Sequence, residues 1–335
     1  MRLGLIARPD SRGLGIQCKA VHDQLHPVKT LVVDCPSQNP LPIRRHWYPE
    51  AQWVKRLPTN DDINHFLDGL DAVYTAETGY NQYLWQAARD RGIRTVLHAN
   101  YEFLDRTDDP TVWAAPSRWH IQDWPAGTIH LPVPIETDRF TLTNTASATN
   151  FLHVVGRPAI HDRNGTVDFL QALTMVETPI TATITCQMSG YIGRLLNDHH
   201  IRIPSRVTLH VQSTDTANYW DLYTGQHALI LPRRFGGLCL PANEAIGAGI
   251  PVIMPDISPN NLWLPPEWLV PARHAGNFRA KQHIDFVRTD PRLLAQKIDE
   301  LATPGFYEKA ATQARILRTE YSWEALAPKY REVLG

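Results

Sequence analysis

The chain has 335 residues, 43% hydrophobic and 20% charged, a globular composition too long for one comfortable core and suited to two ordinary domains. A net charge of −1 excludes an overall basic field that would draw it onto nucleic acid or anionic lipid, though a local patch could still do so. The four cysteines, Cys18, Cys35, Cys186 and Cys239, form neither a CxxC pair nor a Cys/His zinc spacing, and their scatter suits reduced thiols.

The opening MRLGLIARPD is a short apolar run broken by Arg8 and Pro9, which reads as a first strand over 3–7 and not as a secretory leader. A turn and helix over 13–25 follow, then a strand over 29–34 (KTLVVD). A short helix over 63–70, a strand over 72–75, a helix over 83–91 with Gly92 at its C′ position, and strands over 94–98 and 112–115 complete the first half. Alternating strand and helix means a parallel sheet with crossovers. Residues 131–150, rich in Pro, Thr, Asn and Ser, break the pattern and read as a linker. The pattern restarts with strands over 151–155, 181–186, 207–212, 228–231 and 251–254. Helices are expected over 167–173 and from 243, and residues 291–334 are mostly helical. No stretch reaches the roughly 18 apolar residues of a membrane span, so a soluble, cytoplasmic protein is expected.

Four segments could carry chemistry. In LILPRRFGGLCLPANEAIGAGIPVIMPD, residues 229–256, a strand runs into a glycine loop and then a helix bearing Glu244. Gly236 and Gly237 allow close backbone approach to a ligand, helix N-terminal amides favour negative charge, and a carboxylate there can accept from ribose hydroxyls. In VVGRPAIHDRNGT, residues 154–166, Arg157 and Arg163 follow a strand, and guanidinium groups suit bidentate phosphate contacts. In ARPDSRGLGIQ, residues 7–17, Gly13 and Gly15 fit a tight turn facing a ligand, with Asp10 and Arg12 on the same loop. In TVLHANYEFLD, residues 95–105, His98 ends a strand where α/β ligand sites gather, with Asn100 and Glu102 beside it and Glu77 at another strand end. The bland alternatives are a generic strand-loop-helix, solvated loop arginines and a satisfied core histidine. A basic, aromatic stretch over 43–57 with Arg44, Arg45, Trp47, Trp53, Lys55 and Arg56 reads as a solvated loop, with an acceptor, membrane or nucleic-acid contact as the rival.

The segment at 232–252 resembles the donor-site motif of retaining glycosyltransferases of family 4, written PSxxEGFGLPxxEAxAxGxPV. Pro232, Gly237, Leu240, Pro241, Glu244, Ala245, Gly249, Pro251 and Val252 match it. The resemblance implies a GT-B fold, α/β with two Rossmann-like domains facing each other across a cleft. It implies an acceptor-side domain over 1–140, a linker over 141–150, a nucleotide-sugar domain over 151–318, and a closing helix over 319–335 that packs back on the first domain. Glu244 would hold the ribose, with Gly236, Gly237 and Leu238 also at the donor. The family's sugar-facing glutamate is replaced by Gly236, its Ser by Arg233, and its Phe-Gly by Leu238 and Cys239, so the resemblance does not name the sugar. Arg157 matches the arginine of the family's GRLxxxKG segment, Arg163 stands in for its lysine, and His98 matches a sugar-contacting histidine. These three are the expected catalytic residues, with Gly13 and Gly15 at the donor and Asp10, Arg12, Glu77, Asn100 and Glu102 as acceptor-side candidates. The 131–140 stretch and the terminal YSWEALAPKYREVL resemble the family's hinge and closing helix.

The reaction implied is metal-independent transfer of a hexosyl or pentosyl group from a nucleoside-diphosphate sugar, a co-substrate rather than a cofactor. The acceptor would be a protein, modified DNA or a glycan hydroxyl. The opening and the RRFGGLCLPANEA variant also resemble glycosyltransferases of actinobacteriophages, which would place the protein in a host cytoplasm. A sugar-nucleotide epimerase or hydrolase of the same fold, and a non-catalytic binding module, are the alternatives. Oligomeric state is not legible.

Overall fold

A computed structural model of the protein describes residues 1–35, 43–143, 145–213 and 216–335. They form two compact units. One comprises Met1–Val133, Ala280–Gln282 and Trp323–Gly335, the other Pro134–Arg279 and His283–Ser322.

The first unit runs β1 (Leu3–Ala7), α1 (Gly13–Leu25), β2 (Lys29–Val33), β3 (Gln52–Val54), α2 (Asn60–Leu67) and β4 (Ala72–Ala76), then α3 (Tyr83–Asp90), β5 (Arg94–His98), β6 (Val112–Ala115) and β7 (Ile129–His130). The strands form one seven-stranded sheet in the order β3-β2-β1-β4-β5-β6-β7, with every pair parallel. All five residues of β1 and of β4 are buried, as in a parallel sheet covered on both faces. Gly4 of β1 makes room for its neighbours, since a Cβ there would meet Leu70 Cδ1 at 2.3 Å. Helix α2 begins earlier than the expected residue 63 because Thr59 and Asp62 close a capping box ahead of it.

The second unit runs β8 (Asn150–Gly156), α4 (Thr166–Leu173), β9 (Ile180–Cys186), α5 (Tyr191–Asp198) and β10 (Val207–Gln212), then β11 (Ala228–Ile230), α6 (Leu240–Gly247), β12 (Val252–Pro255) and β13 (Leu269–Val270). Its six-stranded sheet has the order β10-β9-β8-β11-β12-β13, again parallel throughout. An antiparallel hairpin, β14 (Ala272–Arg279) and β15 (His283–Thr289), follows, then α7 (Pro291–Leu301) and α8 (Phe306–Glu320). Helix α6 starts at Leu240, ahead of the expected 243, because Pro241 sits in its first turn, where no N–H is needed.

Residues 134–140, expected in the first domain, belong to the second unit because Ile135 and Phe140 are part of its core. Ala148 of the expected linker is fully buried in the same core, while Asn144 lies outside the described residues. The last helix, α9 (Trp323–Leu334), joins the first unit. Trp323, Tyr330, Val333 and Leu334 pack into its core, and the Tyr330 hydroxyl donates to the Pro132 carbonyl at 3.1 Å.

Candidate functional site

Strand order reverses between β8 and β11 in the second unit, and open α/β sheets bind ligands beyond the strand C-termini at such a point. Both segments singled out in this half leave their strands here. After β8 comes the exposed Arg157 and a loop into α4. Asp162 caps that helix, accepting the N–H groups of Thr166 and Val167 at 2.9 Å each. Burial pushes the Asp162 carboxyl up, and these amide bonds oppose the shift. Gly165 has φ +69°, and a Cβ there would lie 2.1 Å from the Pro232 carbonyl oxygen. The loop is therefore pressed against the exit of β11, where the Arg234 N–H donates to the Arg163 carbonyl at 2.8 Å.

The exit of β11 carries Arg233, Arg234, Phe235, Gly236 and Gly237 before α6. Arg233 is buried and spreads its guanidinium over three neutral acceptors: the Phe235 carbonyl at 3.1 Å, Asn164 Oδ1 at 3.3 Å and the Leu238 carbonyl at 2.8 Å. It pins the glycine loop to the α4 loop. Gly236 has φ +118°, and a Cβ there would fall 2.6 Å from Arg163 Nη2 and 2.7 Å from Arg233 Nη2. Two guanidinium groups thus converge where the family motif has a glutamate. Arg163 also stacks over the Phe235 ring, 5.2 Å from its centroid. Burial lowers the pKa of Arg234, which binds the carbonyls of Val287 at 2.8 Å and His161 at 2.6 Å and so ties β15 to both loops. The first turn of α6 contains no acidic residue and has no side-chain cap; Pro241 has no N–H and the Ala242 N–H donates to the Cys239 carbonyl at 3.0 Å, so the positive end of the helix dipole, rather than a set of amides, favours an anion there.

Glu244 lies one turn into α6 and is 9% exposed. Its Oε2 accepts from the Tyr223 hydroxyl at 2.5 Å. Burial pushes the carboxyl up to about 7, Tyr223 pulls it back, and the nearby Glu136 charge adds to the rise. Tyr219, four residues before Tyr223 on the same short 3-10 helix, donates to Glu136 Oε2 at 2.8 Å.

In the first unit, strand order reverses between β1 and β4. Gly13, exposed, opens α1. Gly15 is obligatory, since a Cβ would lie 1.8 Å from the Asp10 carbonyl oxygen. The Asp10 carboxylate accepts from the Arg12 N–H at 3.0 Å and pairs with Arg8 at 3.3 Å. Glu77 leaves β4 at φ +62°, a conformation uncommon outside glycine, and accepts from Asn100 Nδ2 at 2.7 Å. Glu102 is buried in a 3-10 turn over Tyr101–Phe103.

His98, expected beside the donor, is 2% exposed at the end of β5. Its Nδ1 lies 2.7 Å from the Tyr74 hydroxyl and 3.1 Å from Gln17 Nε2, and its ring packs edge-on against Tyr330. Burial lowers its pKa to about 3, so the ring is neutral. The cause is α9, which lays Tyr330 over the end of β5. In the basic stretch, Arg45 stacks over Trp53 at 5.1 Å and Arg56 pairs with Asp62 of the α2 capping box at 2.5 Å, both scaffold roles.

The structure therefore gathers Arg163, Gly236, Gly237 and Leu238 in the second unit, with Arg157 and Glu244 at the same strand ends. It pairs Glu77 with Asn100, and Asp10 with the Arg12 amide, in the first. Sequence reasoning missed Arg233, noted only as a departure from a motif, and Tyr223, which carries no local signal. Among the described residues no group of three or more His, Cys, Asp or Glu could hold a metal ion, and no helix is long and apolar enough to cross a membrane.

No family model and no curated protein matches the chain. Among solved structures it is similar to Anabaena HepE in complex with UDP, with a TM-score of 0.72 and 11% identity, covering 100% of this chain and 99% of that one. It is similar to sucrose-phosphate synthase from Thermosynechococcus elongatus, at 0.68 and 15%, covering 99% and 97%. It is also similar to the lipopolysaccharide outer core galactosyltransferase WaaB, at 0.67 and 12%, covering 100% and 99%. These likenesses, with the two parallel sheets, establish the GT-B fold of two Rossmann-like units.

Proposed function

We propose that the protein is a glycosyltransferase that moves a sugar from a nucleoside diphosphate to an acceptor hydroxyl. The observation that carries this reading is the convergence of Arg163 and Arg233 on side-chain-free Gly236, beside an uncapped helix N-terminus and the buried carboxylate of Glu244. The guanidinium groups and the helix dipole suit a diphosphate, and the carboxylate suits a ribose diol. The neighbour HepE, solved with UDP, supports a nucleotide as the ligand class.

The barrier to transfer is charge separation between an oxocarbenium-like sugar and the departing diphosphate. In this reading Arg157, Arg163 and the N-terminal end of the α6 dipole stabilise the growing negative charge, a preorganised electrostatic role. Glu244 fixes the nucleoside, and Arg233 acts through the loops it ties together. Glu77, Asn100, Asp10, Arg12 and Glu102 are proposed to serve the acceptor, and Gly13 and Gly15, on the same loop as Asp10 and Arg12, are proposed to face the donor. His98 is proposed to contact the donor sugar, as the family resemblance implies. The family resemblance extends the proposal to retention of anomeric configuration, a metal-independent reaction, and a phage-borne enzyme acting in the host cytoplasm on a protein, a glycan or modified DNA.

The test is mass spectrometry of products after incubation with a panel of nucleoside-diphosphate sugars and the three acceptor classes. Transfer of one sugar is expected, with loss of about 100-fold or more in folded Arg157→Ala. Near-normal turnover in that variant would sink the assignment.

A further inference from the structure

Tyr223 sits on a short 3-10 helix, Tyr219–Tyr223, ahead of β11, in a region with no recognisable motif. It is 1% exposed, its ring packs edge-on against Phe140 with centroids 5.9 Å apart, and its hydroxyl donates to one oxygen of Glu244. We propose that Tyr223 is the positioning residue of the nucleoside site: it locks one oxygen of Glu244 and aims the other at the ribose hydroxyls. This rests on the reading that Glu244 holds the ribose.

The physical case is one of geometry and charge state together. A carboxylate one turn into a helix has several rotamers, and a hydrogen bond from a rigid aromatic donor selects one. The donor is itself held by packing, 1% exposed in the second unit's core and set edge-on against Phe140. The same bond favours the ionised form of a carboxyl that burial and Glu136 both push toward neutrality. The groups facing the pair are Tyr219, Cys239 and Glu136, the last lying 3.7 Å from Arg139 Nε. An ionised oxygen accepts from two vicinal hydroxyls, whereas a protonated one gives up part of that capacity.

The test compares the full-length protein with Tyr223→Phe, which keeps the ring and removes only the hydroxyl. Calorimetric affinities are measured for UDP, GDP and ADP, and for the tightest binder lacking both ribose hydroxyls. Wild type should prefer the ribose form, and Tyr223→Phe should lose about tenfold of that preference, as expected for a bond to a charged group. Affinity for the dideoxy form should not change, which separates positioning from general damage to the fold. Removing the bond lets the carboxyl pKa rise above its value of about 7, so only the part of the preference due to charge should return in Tyr223→Phe, and only at pH well above 7, while the part due to orientation stays lost. In a Glu244→Gln background the Tyr223 change should have no further effect. A ribose preference that Tyr223→Phe leaves intact overturns the inference alone. Failure of all three nucleotides to bind wild type overturns the donor reading and the inference with it.

Discussion

The two units share one architecture and treat the same topological position differently. At the switch point of the second, cations converge on a glycine with no side chain, and a carboxyl is buried one helical turn away. At the switch point of the first, polar groups face one another: Glu77 with Asn100, Asp10 with Arg8 and the Arg12 amide. Beneath them His98 is sealed under Tyr74, Gln17 and Tyr330. The difference teaches that the same parallel-sheet position can carry opposite loop chemistry, cationic in one half and mixed polar in the other.

The largest effect should come from breaking the cationic half. Arg163→Ala should lower turnover about 100-fold while leaving the unfolding midpoint nearly unchanged. Comparable loss from Arg8→Ala, in the first unit, would contradict the division of labour.

Next in size are the glycines. Gly236→Ala puts a Cβ between two guanidinium groups at φ +118°, where side chains are strained by about 1–3 kcal/mol. Nucleoside-diphosphate affinity should fall about tenfold, roughly the loss of one charged hydrogen bond. Gly15→Ala forces a Cβ against the Asp10 backbone, and should lower the unfolding midpoint.

These contrasts also show what was legible beforehand. The core strands β1, β4, β5 and β8 read directly, because each is a short apolar run with turn residues at its ends. Strand β3, only Gln52–Val54, was hidden inside a basic stretch that looked like a solvated loop. Strands β7 and β13 have two residues each, too few for a period, and the β14–β15 hairpin carries charge on exposed faces. Among the candidate site residues, Arg163 and Glu244 were readable because a motif surrounds them. Arg233 was not, since its role depends on carbonyls brought together only by folding. His98 was readable as a polar residue at a strand end; its burial against Tyr330 was not, since it depends on α9 packing on β5.

The smallest effect concerns pH, and it has opposite signs in the two units. His98 is held neutral, with its pKa lowered from 6.5 to about 3, so its contribution to stability is full above 6.5 and lost as pH falls below it. Glu244 is raised from 4.5 to about 7, so its contribution is full below 4.5 and lost as pH rises through 7. Thermal unfolding of His98→Gln should show a shallower acid loss, and Glu244→Gln should gain stability at pH 8 relative to pH 5. The same sign for both variants would refute the assignment of charge states.

The most direct measurement of the central claim is amide hydrogen exchange with and without the nucleoside diphosphate that binds best. The account predicts new protection at residues 157–166 and 233–244 that exceeds any change at residues 8–15. Protection confined to 8–15, or none in either segment at saturating nucleotide, would contradict it.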